Sequence, residues 1–311
     1  MNRKILITLI TAALLCCLTG CAEPEVLPET TAAESAPAVL PTASEEETTA
    51  PAEETLPPQE IVQPEPRDED FVLVSAYLLD AVIDLRYATP DNFTNQEIYD
   101  FQDVWLRYGT VKKLIPVQEA LRRHGYLLKI WDGFRPPAAQ FKLWEVCQDP
   151  VYVSDPNKSF SSHSRGNTVD ITIVRTDGTE VEMPTGFDDF TKLADRDYSD
   201  CSEEAAENAR FLENLMKDWG FQPYSGEWWH FTDTQSYPVE QEFLPVAAAE
   251  YYADCQEFIS LRTVPDVNGD VIIQIPAGGQ FTVLGEHGDF AMVQYRNVFG
   301  YVLRDYIRLA E

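Results

Sequence analysis

Four side chains of this 311-residue chain stand in two short runs whose spacing suits hydrolysis at a metal ion. In SSHSRGNTVDITI, His163 precedes Asp170 by seven residues, and in SGEWWHF, Glu227 precedes His230 by three. A catalytic zinc takes three protein ligands from imidazole and carboxylate and keeps one position for water. His163, Asp170 and His230 supply that set with a single negative charge, which leaves the centre cationic enough to acidify its water. The chemistry also needs a base beside the water that is not itself a ligand, and Glu227, just ahead of His230, answers to that. A fixed cation must meet the charge that develops on oxygen. Arg135 in WDGFRP, stiffened by Pro136 and Pro137, is placed for it. Taken singly, these residues admit plainer roles: a loop histidine bonded to its neighbours, or a glutamate and histidine at a core edge beside Trp228 and Trp229. Asp170 is harder to explain away, because aspartate is depleted in strands and needs a partner when buried.

The elements that must position these groups follow from periodicity. Leu114, Val117 and Leu121 predict a helix over Val111–His124, stopped by Gly125, with a strand over Tyr126–Trp131 after it. Pro137 opens a second helix that runs to Cys147. Val169, Ile171 and Ile173 alternate with Asp170 and Thr172, which predicts a strand with one apolar face and Asp170 on the other. A third helix is expected over Ser202–Trp219, capped by Ser202 and ended by Gly220, with Phe211, Leu212, Leu215 and Trp219 inward. The next strand carries Trp228, Trp229, His230 and Phe231. Beyond Cys255 the runs Ile259–Arg262, Val271–Ile275, Phe281–Gly285, Ala291–Tyr295 and Gly300–Leu303, punctuated by glycine, predict a small five-stranded barrel. It offers no site residue, so hydrolysis is expected to survive deletion of Cys255–Glu311.

The N-terminal part is of another kind. A basic start at Arg3 and Lys4 leads into the apolar run Ile5–Leu18, which is short for a membrane span but suits a signal peptide. It ends in Leu18-Thr19-Gly20-Cys21, which resembles the lipobox of bacterial lipoproteins and implies a signal peptide over 1–21 and acylation of Cys21. Residues 22–70 are rich in Pro, Glu, Thr and Ala, with 14 acidic residues and one arginine, and are expected to form a disordered, extended tether. The whole chain has 23 basic and 52 acidic residues and a net charge of −29. That balance speaks against nucleic acid as a partner and gives no reason to expect adhesion to anionic lipid. Membrane attachment would come from the lipid on Cys21, on the extracytoplasmic side. Of six cysteines, Cys147, Cys201 and Cys255 remain after the signal and lipid site. Their odd number and spacing disfavour a cysteine zinc site and leave either one disulfide of unassigned pairing or three inert thiols.

The two runs SSHSRGNTVDITI and GEWWHF resemble the VanX-type D-alanyl-D-alanine dipeptidases, whose signature is S-x-H-x-x-G-x-A-x-D followed by E-x-x-H. DLRYATPDNF near Asp84 and WDGFRP near Asp132 are similar to two further blocks of that family, in the same order, so the resemblance spans about Val74 to Thr232. It implies one Zn2+ held by His163, Asp170 and His230, Glu227 as catalytic base and Arg135 as transition-state stabiliser. It also implies that Tyr87, Ser161 and Asp188 hold the ends of a dipeptide, with an anionic Asp188 gripping the ammonium and Ser161 meeting the carboxylate. Two departures stand out: Thr168 and Val169 occupy the place of the small residue before the aspartate, and Thr191–Ser202 lacks the family's paired histidine. The segment from SLRTVPDV to GYVLRDYI resembles bacterial SH3 domains, with LRTVP at the usual LR-x-x-P start.

The expected fold is therefore α+β. A zinc peptidase domain over 71–245, with a central antiparallel sheet flanked by helices, is followed by a small all-β SH3-like barrel over 255–311. The expected activity is hydrolysis of D-Ala-D-Ala in peptidoglycan metabolism, with peptidoglycan bound through the SH3-like domain. A D,D- or L,D-carboxypeptidase trimming stem peptides is the enzymatic alternative. A wall-adhering lipoprotein with a dead peptidase domain is the non-enzymatic one.

Overall fold

A computed structural model of the chain describes residues 61–310. The signal peptide, Cys21 and the tether up to residue 60 lie outside the described residues. In chain order the elements are β1 (Phe71–Leu73), β2 (Val82–Ile83), β3 (Trp105–Arg107), α1 (Tyr108–Arg123), β4 (Tyr126–Asp132), α2 (Pro137–Val146), β5 (Thr168–Arg175), α3 (Glu203–Asp218), β6 (Phe221–Pro223) and β7 (His230–Asp233). There follow β8 (Phe243–Ala253), β9 (Phe258–Arg262), β10 (Val271–Pro276), β11 (Gln280–His287), β12 (Phe290–Tyr295), β13 (Val298–Leu303) and β14 (Ile307–Leu309).

The first layer is a five-stranded sheet in the order β2-β4-β5-β7-β6. It is antiparallel as expected, apart from the two-residue edge strand β2, which runs parallel to β4. Val169, Ile171 and Ile173 on β5 join Leu114, Val117 and Leu121 of α1 and Leu212 and Met216 of α3 in one core, all essentially inaccessible. Burial of side chains this large contributes roughly 1.5–3 kcal/mol each. The α3 reading holds in its cap, since Ser202 Oγ accepts from Ala205 N at 3.0 Å. It fails at Trp219, which is 42 % exposed. Trp219 is the residue that ends the helix, at φ −102° and ψ 16°, so its ring leaves the stripe that Leu212 and Met216 define. Trp228 and Trp229 are buried but precede the strand, which begins at His230.

The second layer is a seven-stranded antiparallel sheet in the order β10-β9-β13-β12-β11-β8-β14. All five expected runs are strands, and two elements join them that periodicity did not show. One is the short β14. The other is the eleven-residue β8, which pairs with β11 and β14 and so brings the sheet to begin at Phe243. Gly285 permits this pairing at a bulge in β11, because a Cβ there would stand 2.8 Å from the Phe243 ring.

The tether reading also ends earlier than expected. From Ile61 the chain lies against the C-terminal sheet, with Ile61 packed on its core. Phe299 N donates to Gln63 Oε1 at 2.6 Å, and Gln63 Nε2 returns a bond to Phe299 O at 3.3 Å. The carbonyls of Asp70 and Asp68 then accept from Tyr108 N and Gly109 N, two of the amides that a helix start leaves without partners. Polarity therefore misled here: these groups bond to backbone and not to water. The three cysteines of the described residues are free thiols, half-buried, so no disulfide forms among them.

Candidate metal centre

Strand register builds the site. Asp170 of β5 faces Asp132 of β4 on one side and His230 of β7 on the other, so three polar residues lie in one row across the sheet. His163 comes to this row from a one-turn 3-10 helix, Ser162–Arg165, entered through Ser161, whose Oγ accepts from His163 N at 3.4 Å. The turn ends at Gly166 with φ +74°, a conformation that favours glycine, and a Cβ there would stand 2.5 Å from the Phe71 ring.

One nitrogen of each imidazole is committed elsewhere and the other faces Asp170. His163 Nδ1 lies 2.8 Å from the carbonyl of Gly133, which can only accept. The ring therefore carries a proton on Nδ1 and turns Nε2 to Asp170 Oδ2 at 3.3 Å. His230 Nε2 faces the hydroxyls of Ser162 at 3.4 Å and Thr232 at 3.5 Å, and its Nδ1 lies 3.0 Å from Asp170 Oδ1. That last contact is not aligned as a hydrogen bond, and Asp170 Oδ1 is a buried oxygen with no partner. A buried, unpartnered acceptor is costly. The three groups offer ligand atoms within 4.8 Å of one another, and a cation among them satisfies every one of those atoms. Imidazole nitrogens whose other nitrogen is held by a carbonyl or hydroxyl are the usual setting for zinc.

The electrostatics agree. Burial opposes charge on Asp170, but His163 and His230 outweigh it and hold the carboxylate far below its usual range. Burial likewise works against a charged His163, yet Asp170 and Asp132 raise its affinity for a proton. The cluster thus attracts positive charge, and a divalent ion would take the place of that proton. Glu227 stands beside it without joining it, with Oε2 3.4 Å from His230 Nδ1. Burial raises Glu227 above the ordinary glutamate range. Buried Trp228 anchors its turn: its N donates to Ala194 O and its indole N–H to Thr185 Oγ1 at 2.9 Å.

Arg135 is fixed less by the prolines after it than by side chains around it. Its Nη2 donates to Asp132 Oδ2 at 2.7 Å, Nε to the Tyr99 hydroxyl at 3.2 Å and Nη1 to Gln140 Oε1 at 3.2 Å. Asp132, Tyr99 and Gln140 are essentially buried and were not read as site residues. Asp132 lies inside the WDGFRP block, where the two-residue spacing to Phe134 and the bulge after Ile130 hide its place in the row. Tyr99 carries no sequence signal.

Tyr87, Arg135, Ser161, His163, Asp170, Asp188, Glu227 and His230 all line one cleft of about 320 Å³. Every described residue expected at the site is therefore brought to it. The Tyr87 hydroxyl donates to Asp188 Oδ2 at 2.6 Å. Asp188 has φ +53° and is pushed up to about 8, chiefly by burial and also by Asp170 and Glu227. In the metal-free cleft this favours the neutral acid at pH 7, whereas the sequence led us to expect an anion. Ser161 spends its oxygen on the turn of His163, and no hydrogen bond of its own hydroxyl proton is seen.

A family model described as D-ala-D-ala dipeptidase matches residues 67–249, and one described as bacterial SH3 domain matches 257–308. The chain is 35 % identical over 172 residues to a D-alanyl-D-alanine dipeptidase of Escherichia coli K12, covering 55 % of this chain and 89 % of that one. It is 32 % identical over 184 residues to a D-alanyl-D-alanine dipeptidase of Enterococcus faecium, covering 52 % and 91 %. Among solved structures, VanYB in complex with D-alanine-D-alanine is 17 % identical, with 44 % of this chain and 79 % of that chain covered and a TM-score of 0.29.

Proposed function

The chain belongs to the D-Ala-D-Ala dipeptidase family of zinc metallopeptidases, and on that premise we propose that it hydrolyses free D-Ala-D-Ala at one zinc held by His163, Asp170 and His230. The observation that carries the ligand assignment is the unpartnered, buried Asp170 Oδ1 between two imidazoles. When bound, zinc supplies a Lewis acid that makes water nucleophilic near neutral pH.

The chain's own residues do the rest. Glu227 accepts a proton from the attacking water as the C–O bond forms, and returns it to the amine as the C–N bond breaks. Burial raises its basicity above that of an ordinary glutamate, which favours its taking that proton. Arg135 meets the charge that develops on the carbonyl oxygen. Three of its N–H groups are occupied by Asp132, Tyr99 and Gln140, so the guanidinium needs no reorganisation when that charge appears. Tyr87 and Asp188 close one side of the cleft and receive the substrate ammonium, and Ser161 receives the carboxylate. A cleft of about 320 Å³ is at the small end of the roughly 300–1,000 Å³ usual for ligand sites, which favours a dipeptide over a stem peptide.

Incubation with D-Ala-D-Ala and, separately, with a stem pentapeptide tests this reading. Alanine release from the dipeptide with the pentapeptide intact is expected. Trimming of the pentapeptide with the dipeptide untouched would replace it by the carboxypeptidase reading. The same proposal places the enzyme outside the cytoplasm, lipid-anchored through Cys21, with the C-terminal unit on peptidoglycan. A Cys21→Ser chain that still incorporates labelled palmitate would remove the anchor, and equal pelleting with sacculi after disruption of the C-terminal unit would remove the wall contact.

A further inference from the structure

The turn that carries His163 is held from behind by two residues that touch neither the ligand cluster nor the cleft. Its three carbonyls Ser164 O, Arg165 O and Gly166 O accept, in sequence order, from Glu240 N at 2.8 Å, Arg107 Nε at 3.1 Å and Arg107 N at 2.8 Å. Arg107 and Glu240 are in turn joined to each other, Nη2 to Oε2 at 2.9 Å, with side chains only 8 % and 13 % exposed. The other oxygen of Glu240 accepts from the backbone N–H groups of Glu242 at 2.8 Å and Phe243 at 3.0 Å, where β8 begins. Backbone bonds and Arg107 hold Glu240 below the ordinary glutamate range.

β8 is itself docked on the peptidase part, against the loop after β4 and against β1 and β3, which pair as a separate two-stranded sheet. The Phe243 ring stacks on Phe71 at 4.8 Å, meets Trp105 edge-on at 5.2 Å and lies 6.0 Å from Phe134. Phe71 carries the Arg107 guanidinium on its face at 4.1 Å. Phe134 sits between Gly133, whose carbonyl fixes the His163 tautomer, and Arg135. The C-terminal sheet therefore bears on the metal loop along two routes, the ion pair and the aromatic seam.

We propose that Arg107 and Glu240 are positioning residues that couple docking of the C-terminal sheet to the metal centre, so that His163 is held at its ligand position only while β8 is in place. The inference rests on the zinc assignment above. It reverses the expectation that the C-terminal unit is dispensable for hydrolysis. Residues that orient a metal ligand without touching the metal typically change metal affinity by about 10- to 100-fold when replaced, and the geometry here is of that kind: a fixed backbone aims Nε2, and the fixing groups lie one step away.

The test is zinc affinity, measured on the full-length apo chain by competition with a chromogenic chelator, alongside urea unfolding of each variant. Glu240→Gln keeps an oxygen for the β8 amides and removes the negative charge that faces Arg107. Arg107→Lys keeps the charge and loses the fork. Both are expected to weaken zinc by about 10- to 100-fold. Leu121→Ala, in the peptidase core at the C-terminal end of α1, is expected to lower the unfolding midpoint while leaving zinc affinity at the wild-type value. Wild-type zinc affinity in Glu240→Gln and Arg107→Lys overturns the proposal, and so does equal weakening in Leu121→Ala, which would make the effect one of global stability. Failure of the zinc assignment itself shows separately, as undiminished zinc in His230→Ala.

Discussion

The metal cleft and the aromatic seam are built by contrasting means, the first within the five-stranded sheet and the second between the peptidase part and the C-terminal sheet. In the cleft, a few polar groups converge from β4, β5, β7 and one 3-10 turn, and their roles depend on single atoms: a lone pair turned inward, a proton spent on a carbonyl. In the seam, Phe71, Trp105 and Phe134 meet Phe243, Leu284, Phe290, Met292 and Tyr301, and what matters is volume and shape. Replacing one atom in the cleft changes chemistry outright. Replacing one in the seam changes where the cleft residues stand. The first kind of region is intolerant by function and the second by packing, and each prediction below separates the two.

The largest effect belongs to the ligands. His230→Ala or Asp170→Ala should leave the folded chain without stoichiometric zinc and without measurable hydrolysis, as read by elemental analysis and product release. A His230→Ala chain with a full complement of zinc would take that histidine out of the centre. Next comes Glu227→Ala. It should keep its zinc and lose about 100- to 10,000-fold in kcat, the usual range for removal of a general base. Near-normal turnover in steady-state assays would assign the base elsewhere.

Arg135 ranks third, and it joins the two regions because its neighbour Phe134 lies in the seam. Arg135→Lys keeps the charge but not the three-way hold by Asp132, Tyr99 and Gln140. It should lose about 100- to 1,000-fold in kcat with a modest change in KM. A large KM rise at unchanged kcat would move Arg135 to ground-state binding of the substrate carboxylate. Arg135→Ala is the less informative variant, since it also leaves the buried Asp132 carboxylate uncompensated, at a cost of roughly 3–5 kcal/mol in stability.

How much of this was legible in the chain follows the same division. His163, Asp170, Glu227 and His230 sit in short runs with fixed spacing, and spacing is what a linear reading sees. The strand over Val169–Ile173 and the capped helix after Ser202 were equally open to it, because burial imposes periods of two and 3.6 residues. Asp132, Tyr99 and Gln140 were hidden because they meet Arg135 from a bulged strand end, a loop and the start of α2, three elements that share no local pattern. The aromatic seam was hidden for a stronger reason. Its members run from Phe71 to Tyr301, and no period links residues that only tertiary packing brings together. Trp219 shows the converse error, in which a helical stripe was extended one residue past the point where the helix stops.

The seam has its own prediction. Phe243→Ala should lower stability by about 3–5 kcal/mol, as large aromatic truncations in cores do, visible as a lower urea midpoint. Its effect on kcat at saturating zinc should be only severalfold, because every cleft residue is retained. A Phe243→Ala chain as stable as the wild type would mean that the seam collapses without loss around the missing ring. Phe243→Leu, which restores most of the volume, should recover the greater part of the difference.

The smallest effect, a single proton, is the finest probe of the cleft. Asp188 is pushed up to about 8 by burial beside Asp170 and Glu227, so the metal-free enzyme carries a mostly neutral carboxyl there at pH 7. A substrate ammonium arriving at that carboxyl favours its ionised form. Binding at pH 7 should therefore release about one proton per site, and the release should fade above pH 8, where Asp188 is already ionised. Titration calorimetry of D-Ala-D-Ala into the metal-free chain with Glu227 in place, in buffers of different ionisation enthalpy, measures that number directly without turnover. Asp188→Asn in the same background should release none. The folding linkage runs in the matching direction: a folded-state value above the ordinary 3.8 favours the folded state fully below that pH, and the advantage is lost as pH rises through about 8. Replacing Asp188 by asparagine should accordingly stabilise the free enzyme more at pH 9 than at pH 5. Proton release that persists unchanged in Asp188→Asn would place the titrating group elsewhere in the cleft and leave Asp188 as a wall beside Tyr87 and not as the seat of the ammonium.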